Sequence, residues 1–343
     1  MFHLKKIIIC LLILSCLSAK TPFEYTIGIT GGYDNNVMRF SLEEFDQAAM
    51  DSDLMGGAKT FDSFVYRIGI SGDKVLWNSM KKEFSVKGLL NWADYRNNHE
   101  REYASGGVDA IFKWGSYQNI KYSLRHLDSF YLRHYVNRDV STETQWPCAF
   151  TDRNQSIALT HRISKRYWAN LGVGYLQRYY DKPFTEFDLN INYVKVKLNH
   201  KLRKLGNISF QVNRGRAMSQ SHFLTDRPSS FNRSYETLEW YCPIKVQKGI
   251  PFLNEIGISV RQENRVYAAE DPNDPLHSGR NHVDSKYDLW LKKNLTEHMK
   301  VTLSGRYRIR ETESAYNWVT DLKSFNQLQF WCKMELDLVY DRY

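Results

Sequence analysis

Polar and apolar residues alternate along most of this chain. The stretch VTLSGRYRIRE, residues 301–311, sets Val301, Leu303, Gly305, Tyr307 and Ile309 against Thr302, Ser304, Arg306, Arg308 and Arg310. Successive side chains of a strand point to opposite faces, so this segment has one apolar and one strongly cationic face. Fourteen comparable runs begin near Glu24, Phe61, Glu83, Tyr103, Gln118, Asn154, Tyr167, Phe187, Asn207, Ser230, Phe252, Val283, Met299 and Phe325. The fifth and eighth break phase, as bulges would make them.

The connections alternate in length. Short ones such as GSYQ (115–118), SKR (164–166) and LTEH (295–298) are interleaved with long ones such as SLEEFDQAAMDSDLMGGAKT (41–60) and AAEDPNDPLHSGRN (268–281). An even strand number with short turns on one rim and long loops on the other predicts an all-β fold, a single transmembrane antiparallel up-and-down β-barrel of about 14 strands. The apolar stripes agree: Phe64, Tyr66, Ile68 and Ile70, or Ala169, Leu171, Val173 and Tyr175, are each about four residues long with an aromatic ring near the end. A tilted strand crosses a bilayer in roughly ten residues, half of which touch lipid. A soluble barrel would turn the apolar face inward, but fourteen strands enclose an interior too wide for side chains to fill.

In that orientation Val301 to Ile309 face lipid, and Arg306, Arg308 and Arg310 face the lumen. The reverse would cost roughly 2–4 kcal/mol for each guanidinium near the midplane. Lys286 and Lys292 on the preceding strand, Arg261 and Arg265 on the eleventh, and Glu335 and Asp337 on the last are the other charged residues expected to line the lumen. Two readings of this wall stay open. Unpaired arginines would draw anions into a water-filled passage; arginines paired with Glu335, Asp337 and Asp288 would brace the wall.

The first residues, MFHLKKIIICLLILSCLSAK, have a basic start, an apolar run from Ile7 to Leu14 and small residues at Ser18 and Ala19. This is the pattern of a secretory signal peptide over residues 1–19, with the barrel occupying 20–343. Cys16, in ILSC, lies close to a lipoprotein box but has no polar tether after it. With 47 basic and 38 acidic residues the chain carries +9, or +7 once Lys5 and Lys6 leave with the signal. A basic balance suits nucleic acid in the cytoplasm; an exported barrel turns the question to where the charge sits. Cys148, Cys242 and Cys332, an odd number at wide spacing, indicate neither a disulfide framework nor a zinc site.

The segment GITGGYDNNVMRFS, residues 28–41, carries Gly32, Tyr33, Asp34, Asn36 and Val37 in the order G-Y-D-x-N-V. It resembles the first-strand end of bacterial outer-membrane barrels, in particular the barrel domain of surface lipoprotein assembly modifiers, whose tetratricopeptide domain this chain lacks. The resemblance implies a barrel that handles a partner protein or surface polymer. The bare chemistry implies Asp/Asn turn formation. The end of the chain, CKMELDLVYDRY, resembles the terminal strand read by the barrel insertion machinery, with Met334, Leu336, Leu338 and Tyr340 as the apolar series. Either Tyr340 is the residue read, or Tyr343 is and the phase shifts.

No catalytic constellation stands out. G-x-S-x-G is absent, and the loop residues Asp271, Asp274, His277 and His282 lack the order of a calcium loop, so no enzyme activity, metal or cofactor is expected. The expected role is a porin-like diffusion channel of the outer membrane for small hydrophilic, preferably anionic solutes, in contact with outer-membrane lipid and the insertion machinery and not with nucleic acid. The rival is a receptor or export and assembly barrel.

Overall fold

The computed structural model describes residues 22–137, 139–141, 143–203, 205–219, 231–247 and 250–340. The signal-peptide expectation, Cys16 and Tyr343 lie outside these residues. Alternation produces strands β1 (Phe23–Asp34), β2 (Ser63–Ser79), β3 (Lys82–Tyr95), β4 (Tyr103–Gly115), β5 (Gln118–Val136), β6 (Gln145–Arg162) and β7 (Tyr167–Tyr180). They continue as β8 (Leu189–Leu202), β9 (Gly206–Ser219), β10 (Tyr235–Val246), β11 (Glu255–Tyr267), β12 (Asn281–Asn294), β13 (Met299–Glu313) and β14 (Phe325–Tyr340). Each pairs antiparallel with its sequence neighbours, and β1 pairs with β14 from Phe23↔Tyr340 to Asp34↔Gln329, closing the barrel.

The two faces sort by chemistry. On β13 Leu303 and Tyr307 are half exposed, as are Ile70, Leu171, Val194, Ile258 and Met334 on other strands. These residues form a belt of apolar surface around the outside. A soluble barrel would bury such side chains in its core, whereas hydrocarbon lets them face outward without cost. The inner face is polar: Ser85, Asp109, Ser123, Thr160, Asn199, Ser209 and Gln211 are buried there.

Two departures from the expected strands have local reasons. The bulges of β5 are real, with register shifts between Leu127 and Phe130 and between Tyr131 and Arg133. The eighth strand has none and pairs in unbroken register on both sides. Its phase is disturbed by chemistry, because Asn190 and Asn192 sit on the outer side above Val194, Val196 and Leu198. β6 starts at Gln145 instead of near Asn154, since β5 and β6 continue as a hairpin beyond the apolar belt, where alternation no longer has lipid to satisfy.

The long connection 35–62 is not a plain loop. It contains α1 (Leu42–Met50) and α2 (Ser52–Met55). Ser41 caps α1 in a reciprocal box: its hydroxyl accepts from the Glu44 N–H at 3.1 Å, and the Glu44 carboxylate accepts from the Ser41 N–H at 3.0 Å. Met38, Phe40, Ala48 and Met55 of this segment pack with Tyr131 of β5. Gly56 ends α2 at φ +57°, where a Cβ would meet His134 Nδ1 at 2.1 Å, so no larger residue fits. A short helix, α3 (Asn317–Lys323), precedes β14 and packs on α1.

The sorting of faces is testable on adjacent residues. Leu303→Arg should sharply lower the yield of folded, heat-modifiable barrel, at a cost of about 2–4 kcal/mol near the midplane. Ser304→Arg, on the inner face, should fold at close to the parental yield.

Candidate functional site

The first-strand motif is where the chain leaves the wall and turns inward. At Gly32 a Cβ would lie 2.1 Å from the Trp331 ring, so glycine is what lets β1 and β14 close at that level. Tyr33 donates to Asp62 at 2.9 Å, tying the two ends of the connection together. The buried Asp34 accepts from Gln327 Nε2 at 2.8 and 2.9 Å, from Gln329 Nε2 at 2.7 Å and from the Asn36 N–H at 3.1 Å. Asn36 accepts from the Phe40 N–H at 2.9 Å and donates to the carbonyls of Phe40 at 2.8 Å and Asn326 at 3.0 Å. Val37 is buried against Val65 and Tyr95. Turn chemistry accounts for Asp34 and Asn36, and packing and a cross-connection hydrogen bond account for Gly32, Val37 and Tyr33.

The connection is then pinned inside. Arg133 of β5 binds Glu44 at 2.9 Å and lies over the Phe40 ring at 5.3 Å.

The arginines of β13 are paired across to β12. Arg306 Nε donates to Asp288 at 2.6 Å, Arg308 Nε to Asp284 at 2.8 Å and Arg310 Nη2 to Asp284 at 2.8 Å. Arg308 Nη2 also donates to Asp284, and Lys286 stands 3.7 Å from the same carboxylate. Of the expected partners only Asp288 is used. Glu335 and Asp337 sit at the other end of β14: Lys300 faces Glu335 in register, whereas Arg306 and Arg308 face Gln329 and Gln327. Glu335 instead binds Lys333 at 2.7 Å, and Asp337 accepts from Lys300 and, at 2.9 Å, from Thr26. Asp284 was not singled out by the sequence reading. Its register opposite Arg310, on the same inner face, is the signal that finds it.

The remaining charged residues are also placed. Arg265 binds Glu263 at 2.7 Å and covers the Tyr235 ring at 4.2 Å. Arg261 stands 3.8 Å from Glu239 and 4.6 Å over Tyr241. Lys292 faces Glu255 in register. Met334, Leu336 and Tyr340 are exposed on the outer side of β14.

Beside this braced wall lies a cavity of about 860 Å³ inside the barrel. Its lining includes the cations Arg39, Arg67, Lys87, Arg101, Lys286, Arg306, Arg308 and Lys333 against the carboxylates Asp34, Asp288 and Glu335. Arg67 stacks on Trp331 at 4.0 Å, and Arg101 lies over Phe130 at 4.8 Å. Neither they nor Arg39 and Lys87 make an ion pair with a carboxylate among the described residues. Even with Asp284, which is bound to Arg308, counted among the carboxylates, cations predominate in a space walled by low-dielectric protein and lipid, which raises the local concentration of anions. Among the described residues no group of three or more His, Cys, Asp or Glu side chains gathers to hold a metal ion.

A closed antiparallel barrel with an apolar exterior and a polar, charged interior is a transmembrane β-barrel. No family model matches the chain and no curated protein matches it, so the comparisons do not support the resemblance of residues 28–41 to assembly modifiers. Among solved structures the chain is similar to OpdK of Pseudomonas aeruginosa, crystallised with vanillate, at 10% identity over 92% of this chain and 99% of that one, with a TM-score of 0.41. It is also similar to OccAB4 of Acinetobacter baumannii (7% identity, 93% and 99% covered, TM-score 0.45) and to OprD of P. aeruginosa (8%, 92% and 95%, 0.41).

Two outcomes follow from these pairings. Asp284→Asn leaves Arg308 and Arg310 without their shared counter-charge and should lower thermal stability by about 3 kcal/mol, the low end for a broken buried pair. Asp288→Asn, whose partner Arg306 is nearly half exposed, should cost about 1 kcal/mol or less. In the loop 268–280, burial pushes the His277 imidazole down to about 4 despite its bond to Asp274, with Arg280 and Arg233 acting in the same direction. The ring is neutral at pH 7, and its Nδ1–H donates to Asp274 at 2.8 and 2.9 Å. Because the folded value lies below the unfolded one near 6.5, its stabilising share is complete above pH 6.5 and lost as the pH falls toward 4. Protection factors of the amides in this loop, taken relative to the intrinsic exchange rate at each pH, should fall over that window, and His277→Gln should flatten the response.

Proposed function

We propose that the chain is a porin-like diffusion channel of the outer membrane, passing small hydrophilic solutes and favouring anions. One observation carries this reading: a closed barrel with an apolar outer belt encloses a polar cavity whose lining has eight cations and three carboxylates. The apolar belt supports contact with outer-membrane lipid, and the basic, apolar and small-residue order of residues 1–19 supports export by a signal peptide. The apolar outer face of β14, ending at Tyr340, supports its reading by the insertion machinery. A channel needs only a lined passage.

Both wall readings enter this function. The ladder Arg306, Arg308 and Arg310 braces β12 against β13, while Arg39, Arg67, Lys87 and Arg101 supply charge that no carboxylate among the described residues neutralises at contact distance. Selectivity then depends on the second group more than on the first.

Purified protein in planar bilayers should give discrete conductance steps, with a reversal potential in a salt gradient that marks anion preference. The preference should grow in dilute salt, because the screening length rises from about 10 Å at 0.1 M to about 30 Å at 0.01 M. A silent protein would contradict the channel and favour the receptor or assembly alternative.

A further inference from the structure

Arg39 is in an unusual position for a guanidinium. It belongs to the inward connection, between the Asn36 turn and Phe40, and its backbone is left-handed at φ +59°. Non-glycine residues hold that conformation where the surroundings dictate it. The surroundings here are the Asn36 side chain, which ties together both ends of the turn, and the buried ring of Phe40.

The side chain enters the cavity, yet its Nε is buried without a hydrogen-bond partner. The strongest nearby charges are mostly of its own sign: Arg308, Arg101 and Arg310 oppose its charge, and Asp284 favours it. Asp34, which also lines the cavity, spends its oxygens on Gln327, Gln329 and a backbone N–H. Asp284 is bound by Arg308 and Arg310.

Arg101 repeats the theme from the connection between β3 and β4. It is buried at 3% exposure with Nε also unpartnered, its contacts being the Leu132 carbonyl at 3.3 Å and the rings of Tyr95 and Phe130. Arg308 turns Nε and Nη2 to Asp284, and its Nη1 takes no part in that pairing. Buried cations facing one another are costly unless a counter-charge sits between them. Guanidinium forks match oxyanions in geometry as well as charge.

We propose that Arg39, Arg101 and Arg308 form a binding site for one small oxyanion, a carboxylate or phosphate, at the inner tip of the first connection. This site, to which the paired ladder of β13 contributes only Arg308, selects solutes by charge. The first-strand motif is the device that holds Arg39 there. The inference rests on the channel reading only in assigning selectivity; binding itself does not require conduction.

The test is titration calorimetry of the purified full-length barrel in detergent with inorganic phosphate, acetate and chloride at constant ionic strength. Phosphate and acetate should bind with chloride at least tenfold weaker, and the stronger of the two oxyanions identifies the source chemistry. Arg39→Gln should weaken oxyanion binding tenfold or more while heat modifiability is retained. Arg101→Gln should do the same. Arg39→Lys, which keeps the charge but not the fork, should fall between. Arg214→Gln, on the outer surface, should leave binding unchanged. Equal binding by the parent protein and Arg39→Gln, or no oxyanion binding by the parent, would overturn the site. In bilayers, conduction without Arg39-dependent oxyanion binding would leave the channel standing and remove the site; Arg39-dependent binding by a silent barrel would do the reverse.

Discussion

A backbone amide or carbonyl that meets hydrocarbon unpaired costs several kcal/mol, and the rest of this molecule depends on avoiding that cost. The register between β1 and β14, running from Phe23↔Tyr340 to Asp34↔Gln329, removes the last sheet edge. Once the edge is gone, side chains alone decide which solvent each face meets. Leu303 and Ser304 are neighbours in sequence and belong to different solvents.

Closure over fourteen strands leaves an interior that wall side chains cannot fill, and the protein meets this in two ways. Inner-face charges pair across strands, most densely at Asp284, which holds Arg308 and Arg310 at once. The connection after β1 folds inward, fastened by Asn36, Asp34 and the Glu44–Arg133 pair, and brings Arg39 into the space between walls. Bracing and selectivity thereby fall on largely different residues, with Arg308 shared between them. Charges that pair lose much of their outward field; Arg39 and Arg101, on the connections after β1 and β3, keep theirs.

Much of the fold was legible because lipid enforces a strict period of two. Strand starts at Tyr103, Gln118, Tyr167, Met299 and Phe325 coincide with the alternation read from the chain. Where lipid does not reach, the pattern loses its meaning: the upper part of β6 and the rim asparagines of β8 escaped it. The inward helices were missed although Ser41-x-x-Glu44 is a capping signal, because a long segment between strands reads as a loop. The arginine ladder was legible as an inner face, but its partners were not. Asp284, Glu335 and Asp337 all lie on inner faces, and only the stagger between neighbouring strands decides which of them an arginine meets. The G-Y-D-x-N-V segment was visible as a motif, whereas its consequence, the placement of Arg39, depends on contacts with Gln327 and Asn326 almost three hundred residues away in sequence.

The central claim is that the inner face borders water rich in positive potential while the outer face borders lipid. It is tested most directly by thiol labelling in liposomes, in a background with Cys148, Cys242 and Cys332 replaced. Ser304→Cys should react with a membrane-impermeant anionic methanethiosulfonate faster than with its cationic counterpart, and Leu303→Cys should react with neither. Labelling of Leu303→Cys, or protection of Ser304→Cys from both reagents, would contradict the account.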